Sequence, residues 1–271
     1  MKPAHSLAAI ILAGFNPAED PLADLCQGRP KALLPIAGRP MVTYVIDALR
    51  RARGVDHLML VGLDPERLPA RYADVDHVPD TGGLLTNARA GIRCAIARHP
   101  TVDGVVLSGA DIPTISPAIV EGFIERCLCT DHEAYYTIVE RAVMEDRFPD
   151  AGRTYVSLAD GAFAGGDLLL FRAGVEFDQE ALWRRIASAR KHPLRIVAML
   201  GPGPLLKWLT RRLTVAEAER RVSQALGLRG RAVSLPHPEV AMDVDRPQHL
   251  TLVRNALASR EAEPQQSLGP Q

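Results

Sequence analysis

The sequence has little of what marks a secreted, a membrane-spanning or a nucleic-acid-binding protein. Only four cysteines occur in 271 residues, and they do not form the two close pairs of a zinc site. Lys plus Arg and Asp plus Glu both number 32, so no whole-protein field attracts nucleic acid. No apolar run reaches the length that crosses a bilayer. We therefore expect reduced cysteines, a cytoplasmic location and no nucleic-acid partner.

Signals for export and for order at the C-terminus are weak. Lys2 and the apolar run LAAIILAG resemble a short signal peptide, but one Lys and a Phe at position 15 argue against cleavage and export. Residues 259–271 are polar and rich in Pro and Gln, which predicts a flexible tail.

The common phosphate-binding motifs are also missing, because neither G-x-x-x-x-G-K-[ST] nor G-x-G-x-x-G occurs. The apolar run Ala8–Ala13 instead stops at Gly14, and a long loop then leads to Arg29 and Lys31. A glycine lets backbone N–H groups face an anion, and Lys31 would add a positive charge. From residue types alone, a solvated surface loop explains this stretch equally simply.

What is present is an alternation of strands and helices. Short apolar runs predict strands, and apolar residues at helical spacing predict the helices between them. The expected order in the first half is strand 8–13, helix 41–52, strand 57–61, helix 86–98, a strand from 104 and a helix opened by Ser116. Such alternation predicts a mainly parallel sheet with ligands at the carboxyl ends of its strands.

The second half of the chain predicts more strands and then a helical insert. Strands are expected at 134–140, 154–158 and 167–172, helices through about 178–228, a strand at 232–235 and a closing helix at 247–258. We therefore expect one three-layer α/β/α domain over residues 1–258. Its nucleotide-binding half spans 7–130, and its acceptor-binding half spans 131–258.

Several segments resemble nucleotidyltransferases with a GT-A-like fold, among them sugar-1-phosphate nucleotidyltransferases and molybdenum-cofactor guanylyl- and cytidylyltransferase-like proteins. The resemblance begins with LAG after the first strand and RPKALLPIAGRPMVTYVIDAL. It continues in order through GGLLTNARAGI, LSGADIP, FAGGDLLLF and DVDRPQHL. Together these segments span residues 8–257, and their order is more specific than any one of them.

The resemblance implies attack by an acceptor phosphate on the α-phosphorus of a nucleoside triphosphate (NTP), with release of pyrophosphate. Lys31 matches the family lysine that stabilises negative charge, and Asp111 and Asp245 match two metal-binding positions. Two carboxylates suit Mg²⁺. Each Asp also has a structural alternative as a cap of the helix that follows. Asp243 is the other candidate ligand on the same strand face, and we prefer Asp245.

Further residues are candidates for contacts with the two substrates. Those expected to contact the nucleotide are Leu12, Ala13, Gly14, Arg29, Gly82, Gly83 and Asn87. Those expected on the acceptor side are Arg147, Gly165, Gly166 and Asp167, with Arg153 and Lys191 as further candidates. Asn87 would equally well satisfy backbone groups near a helix start. The glycine pairs would equally well form turns, and the arginines would equally well be solvated.

The sequence also departs from the family pattern. Phe15 stands where a second glycine is common, no arginine occurs between Gly14 and Arg29, and Asp167 replaces an asparagine. These departures keep open a catalytically silent nucleotide-binding or regulatory protein. A GT-A glycosyltransferase is a further alternative, with Asp243-Val244-Asp245 as its metal motif.

One segment of the insert, residues 204–212, combines apolar and basic residues. Packing of an insert helix against the core explains it most simply. The alternative is a lid over an apolar acceptor or a contact with a membrane surface. The nucleobase, the acceptor and the oligomeric state have no signature in the sequence.

Overall fold

The computed structural model describes residues 5–16, 20–175 and 202–266. The strands are β1 (Leu7–Leu12), β2 (Pro35–Ile36), β3 (Arg39–Pro40), β4 (Val55–Val61), β5 (Asp76–Val78), β6 (Gly104–Gly109), β7 (Ala134–Glu140), β8 (Val156–Leu158), β9 (Gly161–Arg172) and β10 (Gly230–Ser234). The helices are α1 (Ala23–Cys26), α2 (Met41–Arg51), α3 (Leu84–Arg98), α4 (Pro117–Leu128), α5 (Arg141–Arg147), α6 (Pro202–Leu209), α7 (Val215–Leu226) and α8 (Pro247–Gln266).

Eight of the strands form one mixed, mainly parallel sheet in the order β10-β7-β9-β6-β1-β4-β5, with β8 paired to β9. The pairs of β1 with β4 and β6, of β4 with β5, and of β10 with β7 are parallel. The long strand β9 runs antiparallel to β6, β7 and β8. β2 and β3 form a separate hairpin.

The strand β1 shows why the chain forms three layers. Its side chains alternate between two apolar clusters, with Leu7, Ala9 and Ile11 in one and Ala8 and Ile10 in the other. The first cluster includes the inner faces of α2 and α4, and the second includes that of α3. A parallel strand covered on both faces carries apolar side chains on both, and this is the pattern that LAAIIL has.

The predicted sheet and its helices are confirmed, with differences at three places. β9 begins at Gly161, six residues before its predicted start, because the small residues GAFAGG pair with β7 and β8 although they have little strand propensity. The short elements α1, α5, β5 and the β2–β3 hairpin were not predicted. Helices predicted within 178–201 lie outside the described residues.

The third difference concerns the C-terminus. α8 continues to Gln266, eight residues beyond its predicted end at position 258, so the first part of the expected tail is helical. The residues that follow Ala258 include Arg, Glu, Ala and Gln, which are strong helix formers and which extend the helix despite their polarity.

The segment 204–212 places apolar side chains at the surface. Leu206 and Leu209, three residues apart on α6, are 64% and 63% exposed, while Lys207 pairs with Glu217 on α7 at 2.7 Å. Within the ranges that the structure describes, no helix is both long and apolar enough to cross a membrane. All four cysteines are free.

Candidate active site

Three segments that are distant in the sequence meet at the carboxyl ends of the central strands. Lys31, from the loop after β1, places its Nζ 2.7 Å from Asp111 Oδ2 and 2.9 Å from Asp245 Oδ1. Asp111 follows β6, and Asp245 precedes α8. The structure thus brings together the lysine and the two carboxylates that the sequence predicted as catalytic and metal-binding residues.

Short local elements hold these three side chains in place. Lys31 begins a 3₁₀ turn, Lys31–Leu33, in which Leu34 N–H donates to Lys31 O at 2.9 Å. Val244 N–H donates to Asp111 O at 2.9 Å, which ties the segment before α8 to the end of β6. The two carboxylates are therefore fixed to each other through the backbone as well as through Lys31.

The three charges stabilise one another. Burial alone would lower the pKa of Lys31, but the Asp111 and Asp245 carboxylates outweigh it and hold this pKa above its usual value. Burial alone would raise the pKa of Asp245, but hydrogen bonds from Asp243 and Lys31 hold it below its usual range. Lys31 is therefore an ammonium and Asp245 a carboxylate at neutral pH.

A second ion pair lies beside the first. Arg153, which is 15% exposed, contacts Asp243, which is 11% exposed, through its guanidinium. Burial and then the Asp167 charge raise the pKa of Asp243 to about 9, although Arg153 acts in the opposite direction. Within the described residues, the ion pairs of this cluster join Asp111, Asp243 and Asp245 to two cations, Lys31 and Arg153. These carboxyl groups outnumber the cations paired with them, and a proton on Asp243 or an added cation would balance the charge.

His249 supports the segment that carries Asp245. Asp245 N–H donates to His249 Nδ1 at 3.1 Å, and His249 Nε2 lies 2.9 Å from Ala151 O. Since Nδ1 accepts, Nε2 carries the proton and donates to the carbonyl, so the ring is neutral. Burial, as the main cause, lowers the pKa of His249, which agrees with a ring that is 2% exposed.

The residues present fit a Mg²⁺ ion that is shared with substrate. Asp111 and Asp245 already converge on one cation, the Lys31 ammonium, and the local excess of carboxylates favours a divalent ion. Among the described residues, no group of three or more His, Cys, Asp or Glu forms a metal centre made of protein ligands alone. Mg²⁺ requires no such centre, because it takes much of its coordination from waters and substrate phosphates.

The expected nucleotide loop packs closely against the start of α3. A Cβ atom on Gly14 would lie 2.3 Å from Asn87 Nδ2, so only glycine fits there. Asn87, 2% exposed, accepts from Thr81 N–H at 2.7 Å and donates to Asp80 Oδ1 at 3.0 Å. The described contacts thus favour the alternative in which the Asn87 amide satisfies neighbouring protein groups.

Asp80 is a residue of this region that the sequence analysis missed. Its carboxylate accepts from Gly82 N–H at 2.8 Å and from Phe15 N–H at 3.4 Å. Burial acts to raise the pKa of Asp80, but these bonds and the one from Asn87 lower it below its usual value. The sequence feature that could have indicated Asp80 is its position two residues before the Gly82-Gly83 pair.

The other predicted nucleotide contacts are distributed around this loop. Leu12 O accepts from Ala110 N–H at 3.2 Å, and Ala13 N–H donates to Val61 O at 2.8 Å, which anchors the end of β1 between its neighbours. Arg29 is exposed two residues before Lys31. Gly82, with φ of +86°, and Gly83 lead into α3.

On the predicted acceptor side, Gly165 and Gly166 accommodate side chains of the adjacent strand β7. A Cβ on Gly165 would lie 1.9 Å from Tyr136 Oη, and one on Gly166 would lie 2.4 Å from Thr137 Oγ1. Asp167 is partly buried one residue further along β9 and acts electrostatically on Asp243. Tyr136 is 43% exposed and was not predicted, because the β7–β9 pairing is what brings it beside Gly165.

One predicted acceptor residue, Arg147, stands apart from this cluster. Arg147, at the end of α5, lines a different cavity together with Ser116 and Arg260. Lys191 lies outside the described residues. Of the two basic acceptor candidates that the structure describes, Arg153 joins the carboxylates around Lys31.

Comparisons with known proteins agree with this geometry. A family model described as a MobA-like NTP transferase domain matches residues 26–229, a range that includes Lys31 and Asp111 but ends before Asp245. The bifunctional protein GlmU of Symbiobacterium thermophilum is 30% identical over 137 residues, which is 50% of this chain and 28% of GlmU. The chain therefore spans well under half the length of this curated relative.

Two solved structures are similar over almost the whole chain. A hypothetical transferase from Thermus thermophilus is 36% identical, has a TM-score of 0.75, and is matched over 91% of this chain and 99% of its own. A CMP:2-keto-3-deoxy-manno-octonic acid synthetase solved with CTP is 15% identical with a TM-score of 0.57, over 94% and 99% of the two chains. The second likeness shows the fold, a GT-A-like nucleotidyltransferase fold with helices on both sides of the sheet.

Proposed function

The chain belongs to the family of MobA-like NTP transferase domains, and from this premise we propose that it transfers a nucleoside monophosphate from an NTP to a small phosphorylated acceptor. Pyrophosphate is the second product. The observation that carries the proposal is the position of Lys31 Nζ, 2.7 Å from Asp111 and 2.9 Å from Asp245. Ligands of such sheets bind at the carboxyl ends of the strands, where this cluster lies.

In the proposed reaction an oxygen of the acceptor phosphate forms a bond to the α-phosphorus, and the bond from that phosphorus to the bridging oxygen breaks. The electron pair of the broken bond leaves with pyrophosphate. An ammonium has three N–H donors, and the carboxylates engage two of those of Lys31. The third remains for a phosphoryl oxygen, so Lys31 would stabilise the charge that develops at phosphorus.

We propose Mg²⁺ as the cofactor, held by Asp111 and Asp245. When bound, the ion would neutralise phosphate charge beside the reacting centre. The chain's own part is to present the two carboxylates in fixed positions, through the Val244–Asp111 backbone bond and through His249. Arg153, which forms an ion pair with Asp243, would orient this segment from the acceptor side.

One assay tests the proposal. The chain is incubated with each NTP, Mg²⁺ and a panel of phosphorylated acceptors, and pyrophosphate is followed. We expect release that depends on the acceptor, and a fall in kcat of about 10²–10³-fold in Lys31→Ala and in Asp111→Ala, since each change removes a charge from the reacting centre. Lys207 and Asp74 are exposed residues that form ion pairs elsewhere on the surface, Lys207 with Glu217 and Asp74 with Arg50. The matched control variants Lys207→Ala and Asp74→Ala should leave kcat unchanged. Equal activity of Lys31→Ala and wild type would refute the proposed role.

A silent nucleotide-binding protein is the second candidate, and a specific observation favours it. Phe15 N–H, at the point where the loop would face an anion, donates to the Asp80 carboxylate. That carboxylate would repel phosphate groups brought against the same amide. If this candidate is correct, the assay gives NTP binding without pyrophosphate release, and Asp80→Asn tightens NTP binding without producing turnover.

The glycosyltransferase alternative is less well supported. Its metal motif would need Asp243 as well as Asp245, but Asp243 is engaged by Arg153 and is nearly buried. Use of a nucleotide sugar in the same assay, without pyrophosphate release, would favour this alternative.

A further inference from the structure

We propose that a cavity at the start of α4 binds a small phosphate-bearing ligand, at a site separate from the Lys31 cluster. The cavity has a volume of about 300 Å³. It lies between the β6–α4 loop with the first turn of α4, the end of α5, the segment after β10 and the middle of α8. The lining residues with polar chemistry are Thr114, Ser116, Arg147, His237, Glu239 and Arg260.

Charge makes the cavity suitable for an oxyanion. Two arginines, Arg147 and Arg260, and His237 line the cavity together with one acidic residue, Glu239. Arg260 Nη1 donates to Thr114 O at 3.3 Å, which holds this side chain at the cavity wall and leaves further N–H groups of its fork for a ligand. Arginine pairs bind phosphate oxygens through such forks.

The start of α4 adds the partial positive charge of a helix N-terminus. Ser116 caps this 12-residue helix by accepting from Ile119 N–H at 3.4 Å, and Pro117 has no N–H. Ala118 lines the cavity in the first turn. Helix N-termini stabilise anions, so this end of α4 acts in the same sense as the two arginines.

Two buried polar atoms point independently to a ligand. Thr114 is 4% exposed, and within the described part of the chain neither its Oγ1 nor Glu239 Oε2 has a hydrogen-bond partner. Buried polar atoms in folded proteins normally have one. A hydroxyl group can donate to Glu239, and a phosphate oxygen can accept from Thr114. A phosphorylated polyol or sugar-like molecule supplies both.

The cavity is separate from the proposed reaction centre, since neither Lys31, Asp111 nor Asp245 lines it. Pro247, beside Asp245, and Leu257, at the cavity, are ten residues apart on α8, which corresponds to about 15 Å of helix. Occupancy of the cavity therefore does not compete for Lys31, and the inference stands whether or not the proposed transfer reaction is correct.

Calorimetric titration of the full chain with inorganic phosphate and with glycerol 1-phosphate tests the site. The titration is done in wild type and in Lys31→Met, which separates binding in the cavity from binding at Lys31. We expect saturable binding that persists in Lys31→Met and weakens about tenfold or more in Arg147→Gln and Arg260→Gln. Thr114→Val should weaken it to a smaller extent, and Arg51→Gln, an exposed change on α2, should leave it unchanged.

Two results would overturn the proposal: no saturable binding of either compound, or binding that Arg147→Gln and Arg260→Gln both leave intact. Thermal unfolding of each variant checks that it is folded. Arg260 also donates to backbone carbonyls of the β6–α4 loop, so Arg260→Gln could be unstable for this reason alone. Arg147→Gln removes no such bond, and its effect on ligand binding then decides whether the cavity is the binding site.

Discussion

At the scale of single residues, His249 shows how the site depends on a side chain that touches neither predicted substrate. Its ring accepts from Asp245 N–H and donates to Ala151 O. A proton added at Nδ1 would point at the Asp245 amide, which also donates, so protonation breaks this bond. His249 is thus a positioning residue whose neutral form the fold requires.

This requirement predicts a dependence of stability on pH. Because the folded state lowers the pKa of His249, the unfolded chain binds a proton first as pH falls below about 6.5. The free energy of unfolding should then decrease, by up to about 1.4 kcal/mol per pH unit from this one group. The measurement is the free energy of unfolding in urea at pH values from about 7.5 to about 5. It is made for wild type and for His249→Leu.

We expect His249→Leu to be less stable at neutral pH by about 1–3 kcal/mol, because it leaves the Ala151 carbonyl unpaired and leaves the Asp245 amide only its longer bond to Asp243 O at 3.2 Å. Its loss of stability on acidification should be smaller than that of wild type. Parallel pH profiles for the two proteins would show that the ring is not held neutral.

At the scale of elements, the packing of α3 on the sheet is tight enough to reverse the usual effect of a glycine-to-alanine change. A Cβ on Gly91 would lie 2.8 Å from Ile10 Cγ2 and 2.9 Å from Val61 Cγ2. On α4, a Cβ on Gly122 would meet nothing within 4 Å. Both glycines lie inside helices, so the two positions differ in packing and share their backbone conformation.

Gly91→Ala should therefore destabilise the protein by about 1–3 kcal/mol through overpacking, while Gly122→Ala should stabilise it by about 0.5–1 kcal/mol through helix propensity. Chemical denaturation of the two variants and of wild type measures both changes in the free energy of unfolding. If both substitutions stabilised the protein, α3 would lie further from β1 and β4 than described.

Elements with a strong local signal were predictable, and those made by distant pairing were not. Strand β7 has the predicted limits, and helix α7 lies within the predicted helical insert, because their apolar spacing is regular. β9 was predicted only from Asp167 onward, since Gly161–Gly166 owes its strand structure to β7 and β8. α8 was predicted too short because polarity past Ala258 was interpreted as disorder, although Arg260 contacts the β6–α4 loop.

For the whole molecule, the topology determines which residues meet. Lys31 is 80 residues from Asp111 and 214 from Asp245 in sequence, and they converge because the carboxyl ends of neighbouring strands share one edge of the sheet. The order of motifs was enough to predict this meeting. The roles of Asp80 and His249, and the ion pair of the candidate residue Arg153 with Asp243, were not predictable, because each depends on a contact between segments distant in sequence or on a loop with no periodic pattern.

The most direct test of the central claim is a crystal structure of the chain with a non-hydrolysable NTP and Mn²⁺ in place of Mg²⁺. We expect the anomalous signal of Mn²⁺ beside Asp111 and Asp245, and the α-phosphate within hydrogen-bond distance of Lys31 Nζ. A triphosphate bound elsewhere, or Mn²⁺ bound to neither of these carboxylates, would contradict the account.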